Sequence, residues 1–494
     1  MKKKLLFPFC LAVLIALGGC AGPKGIDITG FGLADASLSA DLGVLPQDLT
    51  VYAERAGRDT LLMSPDRQGR EDARFNERFF AAWDANIPLL PKDAVFEAVK
   101  NMNPARGFAE NLRPYAPERW ERLVANTFME AYGTSPVRHA ITVRTAHLRR
   151  MPTDAPFFLN PGRAGEGFPF DYMQNSALWI GTPAAITHVS RDGMWVFVQT
   201  SLVSGWAKVT DLASVDRPFM ETWRSRPLAV VVRDGTCIMM AGKPESLTGR
   251  AGAAEAFIGT VLPLAETSVE TPVAMSSQQS AQVAVHVPLR NADGEAVLGT
   301  GFFPMADARQ KPLPLTPMNV ALVGNGMVGQ PYGWGGLFGQ RDCSAAMHDL
   351  FAPFGIWLPR NSLTQGRLGV RVPLTELNPD EKEQRITRDG VPFFSLVSMP
   401  GHVGLYLGSY PVPGSGGKDR EVPVMFHNLW GIRVTTGSGD DKRDGRGIIG
   451  KAVVTTLRPG AEHAIISSPA SMLDRIAGLA LLPEPFPDER RDRR

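Results

Sequence analysis

Two stretches decide the fold of this chain: Pro331-Tyr332-Gly333-Trp334-Gly335-Gly336 and, shortly after it, Arg341-Asp342-Cys343-Ser344. The apolar residues that follow recur at helical spacing, which predicts a helix that Asp342 caps and that holds Cys343 in its first turn. The unsatisfied N–H groups of a helix start stabilise a thiolate, so we expect them to lower the pKa of this thiol. The same groups can bind the oxyanion of a tetrahedral intermediate. The pattern therefore indicates a cysteine nucleophile for acyl transfer.

A cysteine nucleophile needs a base, and His402 is the histidine that fits this role best. It lies in residues 399–408, where polar and apolar positions alternate as in a strand with one buried face. Residues 424–430 then predict the next strand of an antiparallel pair. Such a pair would bring His427 to His402, where it could fix the tautomer of the base.

Other assignments of these residues remain open. Asn428, on the opposite strand face, could supply the orienting group instead of His427. His348 lies five residues after Cys343 and about 140° round the helix, so it cannot easily reach the sulfur. A zinc site of Cys343, His402 and His427 is open by ligand type, although the sequence lacks a short-spaced ligand pair.

Residues 318–460 resemble the catalytic domain of the NlpC-type cell-wall peptidases, which are papain-like cysteine enzymes. The resemblance rests on four motifs in order: Tyr-x-x-Gly-Gly from Tyr332, Asp-Cys-Ser around Cys343, Gly-His-Val-Gly-x-Tyr around His402, and a later histidine, His427. It implies a papain-like α+β domain with Cys343 as nucleophile, His402 as base and then acid, and His427 as the orienting residue. It also implies that the hydroxyl of Tyr332 assists the oxyanion site.

The same resemblance nominates residues that contact the substrate. Asp342 and Ser344 flank the nucleophile, and by analogy with relatives we expect them to bind a free amine. Arg360 and Ser362 match a family run that we interpret as one wall of the cleft. The implied reaction is hydrolysis of the bond between γ-D-glutamate and a diamino acid such as meso-diaminopimelate. The implied substrates are peptidoglycan stem peptides or muropeptides with a free amino-terminal L-Ala, and neither cofactor nor metal is expected.

The chain ahead of the peptidase resembles the multidomain branch of this family, so we expect an α+β multidomain protein. Helical periodicity broken by prolines is typical of the helical N-terminal clip of that branch. Short strands between turn residues predict two small β-barrels, of which the first, with Gly205-Trp206, resembles the bacterial SH3-like barrel. The resemblance to the multidomain branch implies that both barrels are SH3-like. The predicted boundaries are 47–136 for the clip, 137–215 and 216–305 for the barrels, 306–317 for a linker, 318–460 for the peptidase, and 461–494 for a C-terminal helix and charged tail.

The first twenty residues predict an export signal, because three lysines precede an apolar run too short to cross a bilayer. The run ends in Leu17-Gly18-Gly19-Cys20, which resembles a bacterial lipobox and makes Cys20 a lipid anchor. An ordinary secretory signal, with Cys20 incidental, is the alternative. Residues 21–46 are interpreted as a tether. We therefore expect a periplasmic protein anchored by lipid in the inner leaflet of the outer membrane.

Composition limits both the partners and the role of the cysteines. The 494 residues hold 52 Lys and Arg against 50 Asp and Glu, so a net charge of +2 offers no broad surface for nucleic acid. After Cys10 and Cys20, only Cys237 and Cys343 remain, too few for a disulfide framework. We place Cys237 in the core of the second barrel. Two other functions stay open: a non-catalytic peptidoglycan-binding lipoprotein, and an amidase or acyltransferase on the same scaffold.

Overall fold

The computed structural model describes residues 39–84, 87–241, 253–266, 282–414, 418–436, 443–461 and 471–482. The predicted signal peptide with Cys20, the tether up to residue 38, and tail residues 483–494 lie outside the described residues. The helices are α1 Asp41–Val44, α2 Leu49–Arg55, α3 Pro65–Phe80, α4 Lys92–Val95, α5 Glu97–Asn101, α6 Pro117–Asn126, α7 Arg217–Ser225, α8 Pro317–Asn325, α9 Cys343–Phe351, α10 Ser362–Gln365, α11 Pro379–Asp389 and α12 Met472–Arg475.

The described strands form four antiparallel sheets, ordered β3-β2-β6-β5-β4-β1-β7, β10-β9-β13-β12, β11-β8-β14 and β15-β20-β16-β17-β18-β19. Helices dominate the amino-terminal part, strands the middle, and a mixture the carboxyl-terminal part, which confirms the α+β multidomain prediction. The strands are β1 Arg138–Thr142, β2 Ala146–Arg149, β3 Gln174–Leu178, β4 Pro183–Val189, β5 Trp195–Gln199, β6 Ser204–Lys208, β7 Leu212–Ser214, β8 Leu228–Val231, β9 Thr236–Met240, β10 Ala253–Ala256, β11 Val261–Pro263, β12 Gln282–Arg290, β13 Ala296–Pro304, β14 Ala308–Gln310, β15 Val370–Pro373, β16 Ser395–Met399, β17 His402–Pro413, β18 Asp419–Thr436, β19 Arg443–Thr456 and β20 Gly478–Leu481.

The amino-terminal helices pack directly on the carboxyl-terminal part of the chain, which holds Cys343. Asp41, within the stretch expected to be tether, accepts hydrogen bonds of 2.8 Å from both the N–H and the hydroxyl of Thr456 on β19. Helix α3 begins at its cap Ser64 and buries Phe75, whose ring meets Trp357 edge-on at 5.2 Å. The clip is therefore fixed to the domain that carries the cysteine.

The seven-stranded sheet is the first barrel, and its loop before β3 is pinned by a buried ion pair. Arg149 on β2 donates to the Asp171 carboxylate at 2.7 Å and to Gln174 at 2.9 Å. Two glycines then allow the loop of the catalytic part to meet β3. A Cβ on Gly335 would lie 2.8 Å from the carbonyl oxygen of Gln174, and one on Gly336 would lie 2.6 Å from the amide nitrogen of Ala177.

The second β-rich part consists of two smaller sheets and departs from the sequence prediction at two points. The segment 306–317 is not a plain linker, because β14 pairs there with β8 through Ala308 and Val231. Both of these side chains are buried, so burial of apolar surface extends the sheet. The placement of Cys237 in the core is wrong. Alternation along β9 turns Ile238 inward and leaves Cys237 exposed.

The six-stranded sheet carries two of the predicted site residues, His402 on β17 and His427 on β18. Helix α9 packs on it through apolar side chains that share one core with β17 and β18, among them Met347, Leu350, Val403 and Leu405. The stretch 461–494 was expected to be a helix and a charged tail; its described part holds the short helix α12 and then β20, a strand not predicted, which joins the sheet between β15 and β16. Leu479 and Ala480 are fully buried in this position, so burial of apolar side chains explains why β20 pairs with β15 and β16. Among the described helices, none is both long and apolar enough to span a bilayer.

Candidate active site

Cys343 lies in the first turn of α9, where the sequence predicts it. Asp342 caps the helix, its carboxylate accepting a backbone N–H of the first turn at 2.9 Å. The cysteine is only 6% exposed. Its sulfur lies 4.0 Å from the carbonyl oxygen of Gly401, and the N–H of Val403 also donates toward it. The sulfur is thus held beside the two residues that flank His402.

The environment of this sulfur does not favour a thiolate. Burial raises the pKa of the Cys343 thiol to about 12, and the Asp342 carboxylate adds to the rise. Backbone N–H groups and Arg360 oppose this change without outweighing it. The prediction of a lowered pKa is therefore wrong. A helix start carries about half a positive charge, which is too little to offset burial and a full negative charge nearby. The resting thiol is neutral and depends on a base.

Strands β17 and β18 bring the two predicted histidines into contact, with His402 Nε2 2.8 Å from His427 Nδ1. The pairing of Leu405 with Phe426 sets Gly404 opposite His427. A Cβ on Gly404 would lie 2.8 Å from the Cβ of His427 and 2.9 Å from the carbonyl oxygen of Phe426. Glycine at this position therefore leaves the space that the His427 side chain occupies.

Thr455 on β19 extends this contact into a chain of hydrogen bonds that fixes both tautomers. Its hydroxyl donates to the carbonyl oxygen of Thr456 at 2.7 Å, and its oxygen lies 3.1 Å from His427 Nε2. Since a hydroxyl has one hydrogen, Thr455 accepts from His427, whose Nε2 is protonated. His427 Nδ1 then accepts from Nε2–H of His402, so the unprotonated nitrogen of His402 is Nδ1.

Burial keeps both imidazoles neutral. It lowers the pKa of His402 to about 4, with a further contribution from the Arg475 guanidinium and an opposing one from Asp342. Burial also lowers the pKa of His427 well below its ordinary value, and the neighbouring His402 contributes. The resting pair is therefore a thiol and a neutral imidazole, and attack by this sulfur would require transfer of its proton to a base.

Tyr332 lies at the boundary between the nucleophile and the base. It lines both cavities of the site, one of which contains Cys343 and the other His402. Its backbone N–H donates to Gly450 at 2.8 Å, and its ring packs on Phe170 and Trp430. Burial raises the pKa of its phenol well above the ordinary value, so the hydroxyl stays a hydrogen-bond donor.

Asp342 forms a buried ion pair with Arg360, whose guanidinium reaches the two carboxylate oxygens at 2.7 and 3.0 Å. Burial alone would raise the pKa of Asp342, but Arg360 and backbone N–H donors lower it below its ordinary value. Arg360 also donates to Ser344 at 3.1 Å and to Ser176 of the first barrel at 2.8 Å. Three of the predicted substrate residues are thus joined to one another. Ser362 lies nearby on the wall of the cleft.

The sulfur opens into a cleft of about 480 Å³ that three parts of the chain enclose. Asp342, Cys343 and Ser344 line it from the catalytic side, and Tyr172 from the first barrel and Glu97 from the clip line it from the opposite side. A second cavity, of about 230 Å³, lies on the His402 side. The clip and barrel therefore restrict the first cavity.

Asn428 and His348 take other roles than the alternatives considered from the sequence. The Asn428 amide donates to the carbonyl oxygen of Arg341 at 2.7 Å, just before the nucleophile's helix, and not to a histidine. His348 Nδ1 lies against the carbonyl oxygen of Leu358. Within the described ranges, no group of three or more Cys, His, Asp or Glu side chains could hold a metal ion.

Arg341 joins the nucleophile's helix to two other parts of the chain. Its guanidinium is 2.6 Å from Asp234 of the second β-rich part and 2.6 Å from Asp349 of α9. Trp179 of the first barrel donates to Asp349 at 3.0 Å. No pattern in the sequence indicates this junction or the role of Thr455, because Asp234 and His427 lie far along the chain from Arg341 and Thr455.

Three parts of the chain match known domain families. Residues 9–132 match the NLPC_P60 stabilising domain, N term, residues 156–208 the SH3 domain of SH3b1 type, and residues 329–437 the NlpC/P60 family.

Two individual proteins are similar to this chain over different lengths. A gamma-D-glutamyl-L-lysine dipeptidyl-peptidase of Bacillus subtilis (strain 168) is 32% identical over 121 residues, or 23% of this chain. The chain spans 38% of that relative's length. A solved NlpC/P60 endopeptidase from Photobacterium damselae subsp. piscicida has the same fold, with a TM-score of 0.75 at 23% identity over 89% of this chain and 98% of the other. The chain therefore carries, in this order, regions that match the stabilising, SH3 and NlpC/P60 domain families.

Proposed function

We propose that this protein is a cysteine peptidase of the bacterial cell wall. It hydrolyses the bond between γ-D-glutamate and a diamino acid such as meso-diaminopimelate, in stem peptides or muropeptides with a free amino-terminal L-Ala. The observation that carries the proposal is the chain from Thr455 through His427 to His402, which leaves Nδ1 of His402 as the acceptor for a proton. The thiol of Cys343, held beside the main chain of residues 401 and 403, supplies the proton that this base accepts.

The reaction follows from these contacts. His402 Nδ1 takes the proton of Cys343 while the sulfur attacks the γ-glutamyl carbonyl carbon. The oxyanion forms near the start of α9, where backbone N–H groups and the hydroxyl of Tyr332 can donate to it. The imidazolium of His402 then protonates the departing amine, and His427 stabilises that charge through its hydrogen bond. Water attacks the thioester, His402 again serving as base, and releases the free acid.

The bond specificity is supported by the form of the cleft and by a relative. The clip and first barrel limit the acyl side to a short peptide, which fits a substrate that begins two residues before the cleaved bond. Asp342 and Ser344 line this side and would receive the free amine of L-Ala, with Arg360 fixing the carboxylate. The Bacillus subtilis relative is named for cleavage after γ-D-glutamate.

The proposal also includes the location of the protein in the cell. The lipobox resemblance at Cys20 favours a lipoprotein of the periplasm, anchored in the outer membrane. Globomycin treatment of producing cells should block maturation and shift the apparent mass, and Cys20→Ala should release the protein from the membrane fraction. An unchanged membrane fraction in the variant would argue against the lipid anchor.

The activity is tested with purified protein and two substrates, free L-Ala-γ-D-Glu-meso-diaminopimelate and intact sacculi, with products identified by mass spectrometry. We expect L-Ala-D-Glu and the free diamino acid from the tripeptide, and no turnover by Cys343→Ala. Binding without cleavage by the unmodified protein would favour a non-catalytic peptidoglycan-binding lipoprotein. Cleavage at a different bond, or transfer to an amine in place of water, would favour an amidase or acyltransferase.

A further inference from the structure

We propose that the cavity on the His402 side binds the leaving group of the substrate through a carboxylate. This inference rests on the proposed function and specifies the half of the substrate that departs as an amine. The cavity has a volume of about 230 Å³ and is lined by His402, whereas Cys343, Asp342 and Ser344 line the other cavity.

The position of the base identifies this cavity as the leaving-group side. A general acid must lie within hydrogen-bond reach of the nitrogen that it protonates, so the departing amine must lie beside His402. Tyr332, Trp334 and Gly401 line both cavities, so the two adjoin at these residues. A peptide bound with its acyl part next to Asp342 therefore extends its leaving group into the second cavity.

The charge of the lining indicates what the leaving group carries. Arg433, Arg446 and Arg475 line this cavity. Arg433 and Arg446 have other interaction partners, and Arg475 also donates to the carbonyl oxygen of Pro400 at 2.9 Å. Arg475, which lines the cavity together with His402, is the guanidinium assigned to the substrate. Guanidinium groups bind carboxylates with paired, charge-assisted hydrogen bonds.

An aromatic wall completes the cavity. The ring centroid of Phe170 is 5.1 Å from that of Trp334 and 5.6 Å from that of Trp430. A diamino acid has an aliphatic chain that can pack on these rings and carboxylates that can reach Arg475.

Arg475 also acts on the base, because after burial it is the main influence that lowers the pKa of His402. A substrate carboxylate bound at Arg475 would offset that influence when the imidazolium forms.

The test compares tripeptides that differ only in the leaving group: meso-diaminopimelate with free carboxyls, the same residue amidated at either carboxyl, and L-lysine. We expect kcat/KM to fall about tenfold or more on removal of the recognised carboxylate, as for loss of a hydrogen-bonded charge. The ratio of kcat/KM for the peptide with free carboxyls to kcat/KM for the peptide that lacks the recognised carboxylate should be smaller in Arg475→Gln than in the unmodified protein. The same ratio should be unchanged in Arg388→Gln, because Arg388 is an exposed residue of α11.

The outcomes separate this inference from the proposed function. If kcat/KM is equal for all four peptides and Arg475→Gln does not change their relative values, carboxylate recognition is overturned, while the proposed peptidase activity is still supported. Turnover of none of them, by protein whose Cys343 thiol titrates as free, would overturn the proposed function itself.

From an independent set of contacts we infer that Thr455 is a positioning residue that selects the reactive tautomer of His402. The side chain is fully buried and touches neither the sulfur's cavity nor the other one. Without its oxygen, the Nε2–H of His427 would be a buried donor with no acceptor, which favours the other tautomer. His427 would then donate from Nδ1 to His402 Nε2, and His402 Nδ1 would carry a hydrogen and could not accept the thiol proton.

The variants Thr455→Val and Thr455→Ser separate this role from packing. Valine keeps the shape but removes the acceptor, and we expect kcat to fall about tenfold with KM little changed, as for one buried hydrogen bond. Serine keeps the oxygen and should restore most of kcat. ¹⁵N NMR of labelled histidine should show Nε2–H on His427 in the unmodified and serine proteins and Nδ1–H in the valine protein. The same tautomer and kcat in all three would overturn the inference.

Discussion

Nε2 of His402 donates a hydrogen bond to Nδ1 of His427 at 2.8 Å, and this contact links the base of the site to a fully buried ring. The bond exists because β17 and β18 pair with glycine opposite His427. His427 touches no cavity of the site, so its influence on the reaction passes through His402.

Replacement of His427 tests that influence. His427→Ala should lower kcat by about two to four orders of magnitude, because His402 loses both its orientation and the partner that stabilises its charge. His427→Gln keeps an acceptor and should retain more activity than the alanine variant. The check is kcat on the tripeptide together with a circular dichroism spectrum. Equal activity of the alanine variant and the unmodified protein would remove His427 from the catalytic group.

The thiol pKa predicts how Cys343 reacts with iodoacetamide. Because burial and Asp342 raise that pKa to about 12, the alkylation rate should increase steadily from pH 7 to pH 10, with no plateau near neutrality. The experiment uses Cys237→Ser protein, since Cys237 is exposed and would also react. Modification is followed by mass spectrometry of the peptide that contains Cys343. A rate already constant at neutral pH would show that the resting site holds a thiolate.

The lowered pKa values of His402 and His427 predict a loss of stability in acid. The unfolded chain protonates these histidines near pH 6.5, while the folded protein keeps them neutral to about pH 4 for His402. The unfolded state therefore binds more protons in this window, and the free energy of unfolding falls as the pH falls from about 6.5 to 4.

Thermal unfolding at several pH values measures this effect, and a variant isolates the two residues from the other histidines. In His402→Asn, His427→Asn protein, the decline of the unfolding midpoint between pH 6.5 and 4 should be shallower. Identical pH dependence in the two proteins would mean that neither histidine resists protonation in the folded state.

Gly404 should not tolerate a side chain. A Cβ there would lie within 3 Å of the His427 Cβ and of the carbonyl oxygen of Phe426, so Gly404→Ala must push the strands apart. We expect a stability loss of about 1–3 kcal/mol, as for overpacking, and a larger loss of kcat than of substrate binding. Gly401→Ala on the neighbouring turn is the contrasting variant for packing, since no atom lies within 4 Å of its added Cβ, although its positive φ adds strain. An unchanged kcat in Gly404→Ala would contradict the proposal that the His427 side chain needs the space that glycine leaves.

The Arg341 junction should stabilise the arrangement of the domains. Arg341→Met leaves Asp234 and Asp349 buried without their cation, and we expect a loss of about 3–5 kcal/mol in the free energy of unfolding. The triple variant with Asp234→Asn and Asp349→Asn should recover part of this loss. Urea unfolding followed by tryptophan fluorescence measures both. A triple variant less stable than Arg341→Met would show that the carboxylates act independently of the arginine.

The sequence by itself determined the local features of this protein. Asp342 caps a helix that begins at Cys343, and alternation around His402 predicts a strand, because capping and periodicity depend on residues close along the chain. Motif order then identified Tyr332 and His427. The tertiary structure alone decided that burial raises the pKa of the thiol, that Thr455 fixes the tautomers, and that Arg475 lies beside His402. These properties depend on desolvation and on contacts between residues far apart in sequence, which folding creates.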